Sequence, residues 1–306
     1  MEFNLEDFEL NTNVEQQVDT LPKLGLFTDI EQDEYREIDA LANSDAVMIE
    51  RNPADYIWSR NAPINYSKVQ TKDFGTALHC ALLEPEKYSD LVFVSSVKGR
   101  NTKSFEQEVI DNPDNIVLTA DEAEQIKVMV GSVNAPPTPA HFLSQDGMAE
   151  CSVIAKDSER DVFLKCRPDK NLIKSLGICL DVKTTGNLDD WRSDKEWITP
   201  LFKFDYGHQA AFYLHTLSLL YGFDVTKFTF IAVSSSIALG RYPVGVFEIT
   251  KDQLIAWGFW QRMLSNIERF KYCRDNNDWL HTESFNFYSD DEYTDDVEVV
   301  FDGEEQ

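Results

Sequence analysis

The sequence predicts an α/β domain with a mixed central β-sheet flanked by helices. Three observations predict this fold class. Helical periodicity dominates the first 135 residues, short apolar runs separated by polar turns follow residue 147, and two amphipathic helices are interleaved with further strand-like runs up to about residue 273. With 42% hydrophobic residues among 306, the chain has enough apolar material for a sizeable core.

The first half of the chain is predicted to be helical. Asn52-Pro53 breaks the first helical stretch, and Pro85 ends the second. Thr119 and Glu122 have the spacing of a capping box at the start of the fourth, and the proline cluster at 136–139 interrupts the chain after it. The four stretches lie at about 36–60, 72–83, 103–112 and 119–133.

Beyond Gly147 the pattern is typical of strands. Three apolar or alternating runs with polar turns between them are followed by a helix, two more strand-like runs and a last amphipathic helix. This order predicts one domain built around a mixed sheet. The elements are strands at about 151–155, 162–167 and 178–183, a helix at 205–221, strands at 226–235 and 241–249, and a helix at 250–273.

The net charge of −26 is concentrated at the two ends of the chain. Residues 1–50 contain 14 acidic and 2 basic residues, and residues 275–306 contain 12 acidic residues and no lysine or arginine. We therefore predict an acidic segment at 1–24, a domain at 25–274 and an acidic tail at 275–306. The near-neutral domain can carry a local basic groove, so nucleic acid remains a candidate substrate. The acidic ends either keep copies apart in solution or compete with DNA for such a groove.

Cysteine usage and hydropathy exclude several classes of protein. The five cysteines are scattered and form no C-x-x-C pair, which argues against a zinc ribbon, an iron–sulfur cluster and a disulfide framework. No apolar run approaches the roughly 20 residues of a membrane span, and the first residues lack the features of a signal peptide. The sequence thus predicts a cytoplasmic protein without a membrane partner.

The strongest chemical signal is Asp181-Val-Lys183 at the end of an apolar strand. Side chains two apart on a strand point to the same face, so Asp181 can bind a metal ion while Lys183 orients or deprotonates an attacking water. A surface ion pair is the plain alternative. Asp169 follows the preceding strand, and a hairpin turning near 174–177 would bring it close to Asp181. Clustered carboxylates that hold Mg²⁺ are typical of phosphodiester hydrolysis.

Four further residues are candidates for the same site. Glu150 precedes the first strand, and His79 lies on an otherwise apolar helix, where imidazole can serve as a metal ligand. Gln209 and Tyr213 are four residues apart on one helix, so they share a face that can contact a phosphate or a water. Each also has a structural interpretation, as a solvated strand end, a buried histidine or polar helix packing.

Taken in order, these motifs resemble the PD-(D/E)XK nuclease superfamily, and more narrowly the nuclease-domain family of exonuclease VIII (RecE). The resemblance covers about residues 25–272. It is carried by Gly75-x-x-x-His79, Glu150, Arg167-Pro-Asp169, Asp181-Val-Lys183-Thr-Thr and Gln209-x-x-x-Tyr213, with further matching stretches at Asn52-Pro-Ala-Asp-Tyr56, Arg60-Asn-Ala-Pro63, Leu83-Glu-Pro-Glu86 and Gly240-Arg-Tyr-Pro-Val244.

The resemblance implies a restriction-endonuclease-like core and a Mg²⁺-dependent 5′→3′ exonuclease, with Mn²⁺ as a substitute ion. The substrate would be the end of linear double-stranded DNA, and the product a 3′ single-stranded overhang for a RecT-like annealing protein. It also implies a homotetrameric ring. By the family pattern, the metal ligands would be His79, Glu150, Asp169, Asp181 and the carbonyl of Val182, while Lys183 would activate the nucleophile and Gln209 and Tyr213 would support substrate and water.

Three alternatives stay open at the level of sequence. An endonuclease on the same fold would use the same residues but would need no DNA end. A catalytically silent protein of this fold would bind DNA or a recombination partner. An acidic mimic of DNA is suggested by the net charge, although that charge is divided between the two ends of the chain.

Overall fold

The computed structural model describes residues 21–60, 66–191 and 199–279, with side chains described in the second range from residue 73 onward. Within these ranges the chain forms ten strands and thirteen α-helices. The strands are β1 (Gly25–Phe27), β2 (Val92–Val94), β3 (Ile116–Leu118), β4 (Met148–Ala149), β5 (Ser152–Asp157), β6 (Val162–Cys166), β7 (Lys170–Leu172), β8 (Ile178–Thr185), β9 (Lys227–Ser234) and β10 (Val244–Thr250).

The helices alternate with these strands along the chain. They are α1 (Gln32–Glu37), α2 (Asn43–Arg51), α3 (Pro53–Arg60), α4 (Tyr66–Leu83), α5 (Tyr88–Leu91), α6 (Lys103–Asp111), α7 (Ala120–Asn134), α8 (Pro137–Ser144), α9 (Ile173–Leu176), α10 (Thr199–Lys203), α11 (Tyr206–Tyr221), α12 (Lys251–Ala256) and α13 (Phe259–Asn276).

The central sheet is mixed, as the sequence predicts. Its five strands have the order β10-β9-β8-β7-β4, with β8 parallel to β9 and the other pairs antiparallel. A second sheet has the order β1-β5-β6, and β2 and β3 form a separate parallel pair. The strands predicted at 151–155 and 162–167 therefore belong to a sheet of their own, and the central sheet begins with short strands that the sequence did not predict.

Helices pack on both faces of the central sheet. Alternate residues of β8 face opposite sides: Ile178, Leu180 and Val182 pack in a core with α4 and α7, and Cys179 packs in a core with α2, α11 and α13. The second core also contains β5 and β6, so α11 lies between the two sheets. None of the helices in the described ranges is long and apolar enough to cross a membrane.

Most predicted helices are confirmed, and their ends have identifiable causes. The helix predicted at 250–273 is instead two helices, α12 and α13, separated at Gly258, whose φ of 81° interrupts the helical backbone. The capping box of Thr119 and Glu122 starts α7, and α11 ends at Gly222, whose φ of 71° suits glycine. The break at Asn52 separates α2 from α3. α4 begins at Tyr66, about six residues earlier than predicted.

Three local predictions were incomplete. The proline cluster ends α7 but also begins α8, because proline fits the first turn of a helix, where its missing N–H needs no acceptor. β7 is only three residues long and contains Lys170 and Asn171, so it lacks a strand pattern. α13 continues to Asn276, two residues into the predicted tail, while residues 1–20 and 280–306 of the acidic ends lie outside the described residues.

Candidate active site

Two carboxylates lie where the chain passes between the sheets. Glu150 follows β4 of the central sheet and precedes β5 of the second sheet, and Asp169 lies between β6 and β7. The Glu150 N–H donates to the Asp169 carbonyl at 3.1 Å, so a backbone hydrogen bond joins the two segments that connect the sheets. Glu150 has a φ of 46°, a left-handed conformation that is uncommon for a residue with a Cβ. Pro168 precedes Asp169 and cannot donate to a ladder, which ends regular pairing there.

Strand β8 brings Asp181 and Lys183 to the same edge. Pairing with β7 stops at Leu180, and beyond it the Val182 N–H donates to Asp169 Oδ2 at 2.6 Å. The predicted hairpin thus places Asp169 beside Asp181, through the short helix α9 and Gly177. Because a strand residue points its N–H and C=O to the same side, the Val182 carbonyl also faces this edge. Lys183 Nζ lies 2.7 Å from Asp181 Oδ2.

His79 completes the cluster from helix α4. Its Nδ1 lies 3.5 Å from Asp169 Oδ2 and 3.9 Å from Glu150 Oε1. The structure therefore brings His79, Glu150, Asp169 and the Asp181–Lys183 pair together at one edge of the central sheet. Their catalytic and metal-binding roles remain predictions.

Helix α11 supports this cluster through Gln209. Its Nε2 donates to Asp181 Oδ1 at 2.8 Å, so Gln209 orients the carboxylate in the metal-free protein. Tyr213, one turn further along, lines a 270 Å³ cavity beside Glu150. Two cationic side chains line that cavity, and both donate hydrogen bonds to other protein groups. Lys165 donates to the carbonyls of Tyr35, Arg36 and Ile38. Arg167 donates to the Ile30 carbonyl and to the side chains of Gln32 and Ser152.

Sequence and structure comparisons agree with this architecture. A family model described as a PDDEXK-like domain of unknown function, DUF3799, matches residues 44–282. The chain belongs to this family. A crystal structure of a protein from Eubacterium rectale, provisionally named an exonuclease, superposes with a TM-score of 0.51 at 12% identity, covering 90% of this chain and 88% of that one. At this identity the similarity shows a shared fold. No curated protein matches the chain.

The donor set of this DUF3799 chain fits a divalent ion. Ligand atoms of His79, Glu150 and Asp169 all lie within 4.8 Å of one another. Ligands about 2.1 Å from one ion lie up to about 4.2 Å apart, so a small adjustment suffices. Asp181 Oδ2 is buried and accepts no hydrogen bond of regular geometry from the residues that the structure describes, although the Lys183 ammonium is close. A buried carboxylate oxygen in this state is suited to a cation.

Protons balance the charge of the cluster in the metal-free protein. Burial lowers the pKa of the His79 imidazole, but the Asp169 and Glu150 carboxylates outweigh burial and raise that pKa to about 9. Burial and the nearby Asp169 raise the pKa of Asp181 to about 6, and burial raises the pKa of Asp169. Burial lowers the pKa of Lys183, but Asp181 and Asp169 outweigh it and raise the pKa above its ordinary value. Lys183 is therefore an ammonium beside the Asp181 and Asp169 carboxylates.

These pKa shifts predict how stability depends on pH without metal. Protonated His79 stabilises the fold fully below pH 6.5, and this contribution is lost as the pH rises through about 9. The free energy of unfolding in EDTA should fall by at most about 3 kcal/mol over that interval. Because a bound divalent ion would replace this proton, the rise in Tm caused by Mn²⁺ should increase with pH.

Urea unfolding and thermal melting between pH 6.5 and 9 measure both effects. His79→Gln should remove the fall in stability that His79 causes, whereas His141→Gln, at an exposed position on α8, should retain it. Burial lowers the pKa of Lys165 to about 8, which adds a rise in stability near that pH in both variants. An unchanged slope in His79→Gln would show that another group titrates.

The sequence did not point to Tyr206, which contacts the site. Lys183 Nζ lies 4.9 Å from the centre of the Tyr206 ring, an arrangement in which the ring face attracts the ammonium. Tyr206 is three residues before Gln209, hence on the same face of α11, and this spacing is the signal that could have identified it.

Proposed function

We propose that this protein is a divalent-metal-dependent 5′→3′ exodeoxyribonuclease that acts on linear double-stranded DNA. The observation that carries the proposal is the convergence of His79, Glu150 and Asp169 within 4.8 Å, beside the Asp181–Lys183 ion pair. In a PD-(D/E)XK fold this combination is suited to the hydrolysis of a phosphodiester.

Each residue of the cluster has a role in the proposal. His79, Asp169, Asp181, Glu150 and the Val182 carbonyl would hold the ion, which would supply Lewis acidity. Oxygen ligands suit Mg²⁺, and Mn²⁺ accepts the same set. Lys183 donates from its ammonium to the attacking water or the phosphate and neutralises developing charge. Gln209 keeps Asp181 in position through its hydrogen bond.

The action at DNA ends is supported by the resemblance to the exonuclease VIII family rather than by geometry. The same resemblance supports a homotetrameric ring, a 3′ overhang as product and a RecT-like annealing protein as partner. A ring that needs a free end would act on linear DNA and leave closed DNA intact.

This difference gives a direct test. With Mg²⁺, a linear plasmid should lose nucleotides while the covalently closed form of the same plasmid persists. We expect the linear form to be degraded at least about 100-fold faster than the closed form is cleaved. The reason is that an endonuclease meets the same phosphodiesters in both forms, whereas an exonuclease needs an end. Gel electrophoresis with strands labelled at either end measures the rate and the direction, and 5′ label should be released first.

Nicking of the closed plasmid at the rate of linear digestion would replace the exonuclease with an endonuclease. Absence of cleavage in Mg²⁺ and Mn²⁺, together with retained DNA binding, would favour the catalytically silent alternative.

A further inference from the structure

Two phenylalanines flank a lysine on the surface beside the active site. Phe202 and Phe204 are each 51% exposed, so two large aromatic side chains lie close together in sequence on the surface. Lys203 lies between them, is also exposed, and has its Nζ 5.2 Å from the centre of the Phe204 ring. We call residues 202–204 the aromatic strip.

The aromatic strip is connected to the catalytic lysine by ring contacts. The centres of the Phe204 and Tyr206 rings lie 5.5 Å apart, and Lys183 Nζ lies 4.9 Å from the Tyr206 ring. One strand of DNA rises about 3.4 Å per nucleotide, so a base about three nucleotides or fewer from the phosphate at Lys183 can reach Phe204.

The strip is held rigidly. Phe202 rests on the buried ring of Phe259, with centres 4.5 Å apart. Asp205, which follows the strip with a φ of 57°, accepts from Arg262 at 2.7 Å. Arg262 also donates to both oxygens of Glu50, at 2.6 and 2.7 Å. The exposed rings therefore belong to a preorganised surface that needs little ordering when a ligand binds.

We propose that the aromatic strip binds the bases of single-stranded DNA next to the scissile phosphate, by stacking on Phe204 and Phe202, with Lys203 attracting the backbone. This inference rests on the proposed function, because the scissile phosphate is placed at Lys183. The ligand is single-stranded because bases within a duplex are stacked on one another and do not offer a face. Exposed aromatic rings with a basic neighbour match the chemistry of a strand with free bases and phosphates.

The chain offers a matched control for this proposal. Phe223 is 55% exposed, close to the exposure of the strip, and follows the opposite end of α11. A helix of sixteen residues separates the two positions by about 24 Å. Phe223→Ala thus removes an exposed ring of the same kind without touching the strip.

The test measures binding of a fluorescent oligothymidylate by anisotropy, in EDTA and in the full-length Asp181→Asn background, so that nothing is cleaved. Phe204→Ala should weaken binding about 5- to 100-fold, since each stacked base contributes that factor. Phe204→Trp should restore it, and Phe223→Ala should stay within about twofold of the parent. Lys203→Ala should reduce the slope of log affinity against log salt by about one. Binding of a covalently closed duplex should not change with Phe204→Ala.

The outcomes separate the strip from the catalytic proposal. Two results would reject the proposal for the aromatic strip, whatever DNA the wild-type protein cleaves. One is that Phe204→Ala binds the oligonucleotide within twofold of the parent, and the other is that it weakens binding of closed duplex DNA by the same factor. Loss of oligonucleotide binding in Phe204→Ala alongside a wild-type protein that cleaves no DNA would support the strip and reject the proposed function.

Discussion

Asp181→Asn is expected to lower the rate of DNA cleavage by about 10³-fold or more. Asp181 is 1% exposed, and its carboxylate contacts Lys183 and accepts from Gln209. The amide retains the size and the hydrogen-bond acceptor but removes the negative charge, which a metal ligand and a partner for the Lys183 ammonium both require.

The measurement is the initial rate of nucleotide release from linear duplex DNA in saturating Mg²⁺. Asp252→Asn, at an exposed position on α12, is the control and should keep the parent rate within about twofold. Circular dichroism should show the same helix content in both variants. A folded Asp181→Asn protein with more than a tenth of the parent rate would contradict the assignment of this carboxylate.

Lys183→Met is expected to lower the cleavage rate by about 10²- to 10³-fold, in the range found for the loss of a donor that stabilises charge in the transition state. Methionine has nearly the shape of the lysine stem and removes only the ammonium. Asp181 raises the pKa of Lys183 despite its burial, so Lys183 carries a positive charge at every working pH. The substitution therefore removes that charge at every working pH. Its removal should affect kcat more than KM, since the charge acts mainly in the transition state.

The matched control is Lys227→Met. Lys227 begins β9, is about half exposed and pairs with Glu248 at 3.3 Å, which is worth little at a surface. Steady-state kinetics on the linear duplex should leave this variant near the parent values. If Lys183→Met raised KM and left kcat unchanged, Lys183 would bind DNA without taking part in the chemical step.

Periodicity predicted the parts of the site that lie on one element or on neighbouring elements. The spacing of Asp181 and Lys183 was enough to place both on one face of β8, because side chains alternate along a strand. The turn before Gly177 was enough to place Asp169 beside them. Gln209 was found because it and Tyr213 are four residues apart and share one face of a helix.

The rest depended on tertiary structure. The left-handed conformation of Glu150 arises where the chain leaves one sheet for another, and nothing local in its sequence signals that change. β7 contains Lys170 and Asn171, so its residues show no apolar pattern. It is a strand because it forms antiparallel hydrogen bonds with β8. The contact of Tyr206 with Lys183 depends on how α11 packs against β8, and the sequence places Tyr206 only on the same face of α11 as Gln209.

A crystal soaked in Mn²⁺ tests most directly whether a divalent ion binds at this edge of the sheet, through the anomalous signal of the ion. We expect a peak in contact with His79, Asp169 and Asp181 together, with Glu150 or its water close by, and no such peak in Asp181→Asn. A peak that avoids Asp181, or none at an ion concentration that supports cleavage, would contradict this expectation.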